Sequence, residues 1–268
     1  MKEVKLPDIT SHGVSGLVRG MFLPLKGASY ILQHPKLWIF VIIPIIINFF
    51  ILLVALSVGY SFFSGWLQGM IENGEQVPWY MTGLSIFVRI LFWFLALILV
   101  YYIFTPLALI IAAPFNDILA ESVEKRCGIA IEDDRPLHKQ VPAEIVFALK
   151  SELKRLLFFG LVFVLLLLLN IIPILGGLLY IIAGFLWGCF GFAYEFTGIS
   201  SDRRHLSLKK KMNLLHRNLS LSLGFGLGSL ILLLIPFINV IAVSVCAVSG
   251  TILFCALYEE PPKNNEPH

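Results

Sequence analysis

The chain has 268 residues, 58% of them hydrophobic and 14% charged, and a formal net charge of +3. Soluble domains carry about 25% charged residues, so this composition, with a mean hydropathy of +0.87, excludes an ordinary soluble enzyme, a disordered chain and a disulfide-rich secreted domain. The basic surplus, 20 Lys and Arg against 17 Asp and Glu, is too small for a nucleic-acid partner; what remains is a polytopic membrane protein whose solvent is the lipid bilayer.

Residues 1–36 lack an unbroken apolar stretch with a small-residue cleavage site, so no cleaved leader is expected. Within 11–33, Val14, Leu17, Val18, Met21, Phe22, Leu25, Ile31 and Leu32 recur at helical spacing, while Gly13, Ser15, Gly16, Gly20 and Gly27 occupy much of the other side. This predicts one amphipathic helix lying in the inner interface.

Four uncharged runs follow: Leu37–Ile71 with its apolar core at Leu37–Phe63, Ile90–Asn116, Leu156–Tyr194 and Asn218–Tyr258. A spanning helix needs about 20 residues, so the first two runs read as single spans. Asn48, inside the first, is expected to bond to a neighbouring helix. The last two runs have 39 and 41 residues and as straight helices would measure roughly 60 Å. Each carries a central proline, in Ile172-Pro173-Ile174 and Ile235-Pro236-Phe237. Proline removes a donor and clashes with the preceding turn, so each run should fold as a helical hairpin. "NIIPILGG…AGF…YE" over 170–195 parallels "LLIPFINV…VSG…YE" over 233–259, a weak internal repeat.

Lys and Arg number five in 1–36, seven in 117–155 and six in 195–217, but none in 64–83, which holds Glu72 and Glu75. The positive-inside rule makes 64–83 external and the other segments cytoplasmic. Trp66, Trp79 and Tyr80 suit the outer aromatic belt and Trp38 the inner one. The uncharged hairpin tips favour partial penetration over full crossing. Bent backbone at that depth must be buried in protein or line a wet cavity, which favours a homo-oligomer.

Between the spans, 115–127 is expected to be an amphipathic helix with Phe115, Ile118, Leu119 and Val123 on one face, a Glu121–Lys125 pair and Gly128 as its stop. Pro142 should open the helix that leads into the third run. The expected organisation is an all-α membrane domain over 1–268: interfacial helix 11–33, first span 37–63, external loop 64–83, second span 84–114, cytoplasmic helices 115–155, hairpin 156–194, basic cytoplasmic segment 195–217, hairpin 218–258 and tail 259–268.

No HExxH, GxSxG or Walker loop occurs, and Cys127, Cys189, Cys246 and Cys255 form no CxxC. No catalytic residue, metal or cofactor is expected, and the cysteines read as small hydrophobes. Asn170 precedes Pro173 by three residues, and Asn239 follows Pro236 by three. With Gly176 and Gly177 they form either the wall of an anion pathway at a helix start or the partners of backbone groups freed by proline. Arg89, at the edge of the second run, is either an anion attractor or a snorkelling interface residue.

The segments "HPKLWIFVIIPIIINFFILL" (34–53), "APFNDILAESVEKRCG" (113–128) and "NLSLSLGFGLGSLILLLIPFINVIAV" (218–243) resemble the CysZ-type sulfate permease family, related to the etoposide-induced membrane proteins. The likeness spans about 22–260. It implies an ATP-independent bacterial inner-membrane permease that supplies sulfur for cysteine synthesis, with two spans, partly penetrating hairpins and homo-oligomeric assembly. The family's anion segment runs like Pro-Gly-Leu-Arg-Arg-Phe, where this chain has Pro35-Lys36-Leu37-Trp38-Ile39-Phe40. Both arginines are replaced, so bidentate guanidinium recognition is lost there, and Lys36 with the amides of Leu37 and Trp38 forms the expected anion site. The family's Tyr-Pro-containing segment after Glu195 is here "FTGISSDRRHLS". Two functions are compatible with these residues: transport of sulfate or a similar small oxyanion, or a non-transporting membrane scaffold or envelope protein on the same fold.

Overall fold

Prolines mark several of the breaks between helices. The structure, a computed structural model, describes residues 13–71, 79–99, 102, 105–129, 137–172, 175–235 and 239–258, and among these it is all helical. Two compact units are present: residues 1–38 with 116–268, and residues 39–115.

The first unit opens with α1 (Val14–Met21) and α2 (Leu23–Gln33). The single helix expected over 11–33 is broken at Phe22 (φ −90°, ψ 1°), because Pro24 sits in the first turn of α2 and cannot continue the ladder of α1. A one-turn 3-10 helix, Pro35–Leu37, leads into α3 (Trp38–Ile71).

α3 has 34 residues, or about 51 Å of helix. It runs eight residues past the loop boundary expected at 64, and α4 (Trp79–Leu99) begins five residues before the expected start of the second span. The stretch Ser64–Ile71 has no proline and keeps its own backbone bonded. In the second unit Phe63 stacks on Phe92 at 3.8 Å and Tyr60 on Trp93 at 6.1 Å. Beside them the small Ala55, Gly59 and Ala96 leave an apolar cavity of about 510 Å³, which suits acyl chains and not an anion. The Asn48 amide donates to the Ala108 carbonyl at 3.4 Å, the interhelical bond expected of it.

α5 (Thr105–Cys127) carries Pro106 in its first turn and passes without a break through Pro114 into the segment expected to be a separate amphipathic helix. Its buried face is Asn116, Leu119, Ala120, Val123 and Glu124, whereas Ile118 is exposed. α6 (Leu137–Leu168) is already helical five residues before Pro142, so Pro142 does not open it.

Both hairpins form. After α6 a 3-10 turn (Leu169–Ile171) ends at Ile172, with φ −78° and ψ 115°, and α7 (Leu175–Arg203) returns. α8 (Leu208–Arg217) and α9 (Leu219–Leu234) follow, bent by 99° at Asn218. α9 ends at Ile235, with φ −77° and ψ 115°, before α10 (Asn239–Leu257). The two residues preceding proline adopt the same extended conformation, as the proline ring requires of its neighbour. In each, the N–H returns to the carbonyl three residues back, Leu169 at 3.1 Å and Leu232 at 3.4 Å. The internal repeat is therefore visible at its turns.

Glycines set the packing of the first unit. Gly224 and Gly228 of α9 lie against the backbone of Leu17 and Met21 in α1, Gly20 of α1 lies against Leu221 of α9, and Gly226 lies against Cys189 of α7. Gly27 of α2 meets α10 at Val245, and Gly250 of α10 meets α7 at Phe196. Small residues let helices approach backbone to backbone, the usual means of association where lipid offers no hydrophobic drive. The glycine side of 11–33 is thus the packed side, and Val14, Val18, Phe22, Leu25 and Leu32 face outward. Gly184 and Gly188 of α7 have no neighbour within 4 Å of an added Cβ, so Gly184→Ala should leave the thermal midpoint unchanged or raise it, given the ~1 kcal/mol of helix propensity gained.

Charges gather along α5, α7 and α8. Glu124 is fully buried, 3.1 Å from Arg204 Nη1. Arg204 also donates to the carbonyls of Ser200 and Ile129 and covers the rings of Phe254 and Tyr258. Lys211, nearly buried, pairs with Asp202. All four cysteines are free thiols.

Candidate anion-binding site

The residues expected to hold an anion lie at the 3-10 turn between α2 and α3. Pro35 fixes φ and lacks a donor, which suits a helix start. Lys36 is exposed, and among the described residues it has no carboxylate partner. Leu37 is buried. Its N–H donates to the His34 carbonyl at 2.8 Å, and the Trp38 N–H donates to the Pro35 carbonyl. The free amides expected at Leu37 and Trp38 are therefore already bonded. A three-residue 3-10 turn closes its own bonds, so the charge of Lys36 is what the segment itself offers an anion.

A second cation reaches this turn from far away in the chain. The Tyr30 hydroxyl donates to the Ser122 carbonyl at 3.1 Å, docking α2 on α5. One turn later His34 stacks on the Tyr30 ring, centroids 4.6 Å apart, with its Nδ1 2.7 Å from the Tyr30 carbonyl. A carbonyl only accepts, so Nδ1 carries the proton and Nε2 is an acceptor. Arg126 Nη1 donates to that Nε2, and the guanidinium lies over the Tyr30 ring at 5.5 Å. Arg126 was not singled out from the sequence. The available signal was that no acidic residue stands three or four positions from it on α5, whereas Lys125 pairs with Glu121 at 2.6 Å.

The other expected residues lie elsewhere. Arg89 is the eleventh residue of α4 and exposed; it lies well inside the helix instead of at its opening. Asn170 donates to the Leu167 carbonyl at 3.3 Å. The Gly176 N–H bonds to the Ile172 carbonyl at 3.0 Å, and a Cβ there would sit 2.0 Å from the Leu169 carbonyl oxygen, so this glycine closes the hairpin turn. Gly177 is exposed beside it. Asn239 begins α10, but its side chain lies outside the described residues, as do Pro173 and Pro236.

Comparison with known proteins places these features in a family. The profile of the family described as sulfate transporter CysZ/etoposide-induced protein 2.4 matches residues 23–244. The sulfate transporter CysZ of Pseudomonas aeruginosa is 30% identical over 243 residues, covering 86% of this chain and 94% of the relative. That of Vibrio cholerae is 30% identical over 218 residues, covering 80% and 84%, and that of Vibrio parahaemolyticus 27% over 228 residues, covering 84% and 90%.

Proposed function

The chain belongs to the sulfate transporter CysZ/etoposide-induced protein 2.4 family, and from that membership we propose that it is a membrane permease for sulfate or a similar small oxyanion. The observation that carries this reading is the likeness to sulfate transporters across nearly their whole length. Movement is ATP-independent and serves sulfur supply for cysteine synthesis. The protein lies in the bacterial inner membrane as a homo-oligomer with both termini cytoplasmic and the hairpins partly penetrating. Gly177 and Asn239 line the pathway, and Lys36 collects the anion at the inner mouth. The scaffold alternative is favoured by one observation, the replacement of the family's arginine pair by Trp38 and Ile39.

Lys36→Ala should weaken sulfate binding about tenfold or more, the worth of a charged hydrogen bond of ~1.5–3 kcal/mol, and Trp38→Arg with Ile39→Arg should strengthen it. Calorimetry on the purified protein reads both. Absence of sulfate binding in every one of these proteins moves the assignment to the scaffold.

The orientation follows from Lys and Arg counts of five, seven and six against none. Cysteines introduced at Ser64 or Gly83 should react with an impermeant maleimide added outside intact cells. Reaction only after the inner face is opened reverses the orientation.

A further inference from the structure

We propose that Arg126 supplies the guanidinium that residues 38 and 39 lack, so that an oxyanion at the inner mouth is held between Lys36 and Arg126. This rests on the sulfate reading above and adds a residue to its site. Arg126 is brought to the turn from 92 residues away, with Nη1 on His34 Nε2, two positions before Lys36.

A guanidinium has five N–H donors on Nε, Nη1 and Nη2. The His34 bond uses Nη1 and the Tyr30 ring takes one face, and among the described residues no carboxylate or carbonyl accepts from Nε or Nη2. That edge has the fork geometry that clasps a tetrahedral oxyanion with two parallel hydrogen bonds. Three other arginines among the described residues are committed: Arg155 to Glu152 and Glu195, Arg203 to the Asp117 carbonyl near Glu121 and Glu124, and Arg204 to Glu124. His34, neutral and held by the Tyr30 carbonyl, is a positioning residue. It aims the guanidinium without neutralising it, as a carboxylate would.

The shared ligand chemistry is a tetrahedral oxyanion, and either free sulfate or a lipid phosphate offers it. The test is sulfate titration by calorimetry on the purified full-length protein in neutral detergent, with and without added phosphatidylglycerol. Arg126→Gln should cut sulfate affinity about tenfold or more, Arg126→Lys should recover part of it, and Lys125→Gln, the neighbouring cation already paired with Glu121, should change it less than twofold. His34→Gln, whose side-chain oxygen still accepts from Arg126, should bind better than His34→Ala. Thermal midpoints without sulfate should be alike across the set, which separates anion binding from folding.

Wild-type protein and Trp38→Arg/Ile39→Arg both failing to bind sulfate would overturn the functional reading and this inference together. Wild-type binding that Lys36→Ala weakens and Arg126→Gln leaves intact would overturn the inference alone. An Arg126→Gln effect confined to phosphatidylglycerol would also overturn it, by making the guanidinium a lipid-headgroup contact.

Discussion

Gly226→Leu should yield almost no folded protein, and Gly226→Ala should lose about 3 kcal/mol or more of stability. A Cβ at Gly226 would lie 1.7 Å from the Cys189 carbonyl oxygen, at Gly224 2.0 Å from that of Leu17, and at Gly228 2.2 Å from that of Met21. In each case the obstacle is backbone, and no rotamer change relieves it. Gly224 and Gly228, four residues apart, share the α9 face that meets α1, while Gly226 points to α7, so the three glycines seat α9 between two helices. Gly→Ala in open helix favours the helix by ~1 kcal/mol, and at these positions the steric cost should reverse that sign. Thermal unfolding in detergent, followed by tryptophan fluorescence, reads the difference. An unchanged midpoint for Gly226→Ala would mean that α7 and α9 do not approach as described.

Arg204→Ala should destabilise the protein by about 3–5 kcal/mol, the usual cost of stranding a buried charge. Glu124 is fully buried and the Arg204 side chain is 7% exposed. The Glu124 oxygens make no well-angled hydrogen bond despite the 3.1 Å approach, so the carboxylate is held chiefly by opposite charge, and once Arg204 is removed its remaining counter-charge is Arg203, whose Nε lies 3.9 Å from Oε2. The comparison is Lys125→Ala, which breaks the exposed pair with Glu121 and should cost less than ~1 kcal/mol. Replacing Glu124 by Gln together with Arg204 by Met should recover much of the loss, because a neutral pair needs no counter-charge. Denaturant midpoints of the four proteins decide it. An Arg204→Ala protein as stable as Lys125→Ala would show that water reaches Glu124.

The hairpins are legible in the sequence because two facts suffice: an uncharged run too long to cross once, and a proline at its middle. Both Ile172 and Ile235 take the extended conformation that this reading requires. Helix boundaries are less legible. A proline acts according to its position in a turn, so Pro24 starts a helix whereas Pro44 and Pro114 ride within theirs. The period of 11–33 marks two faces but does not say what covers each. Glycines that would face water in a soluble protein here face another backbone, and apolar side chains face out. At the turn carrying Lys36 the sequence does not show that the amides are bonded, because the 3-10 turn closes on His34. Arg126 and the Glu124–Arg204 pair are contacts across 92 and 80 positions. The local signals were a cation without an acidic neighbour and an acid on the buried face of α5 with Leu119, Ala120 and Val123.

Uptake of radiolabelled sulfate by vesicles reconstituted with the purified protein, without ATP, tests the permease assignment most directly. The account predicts saturable entry above protein-free vesicles, strongly reduced when Lys36→Ala and Arg126→Gln are combined. Entry no faster than in protein-free vesicles, from protein shown to be folded by its thermal transition, would contradict it.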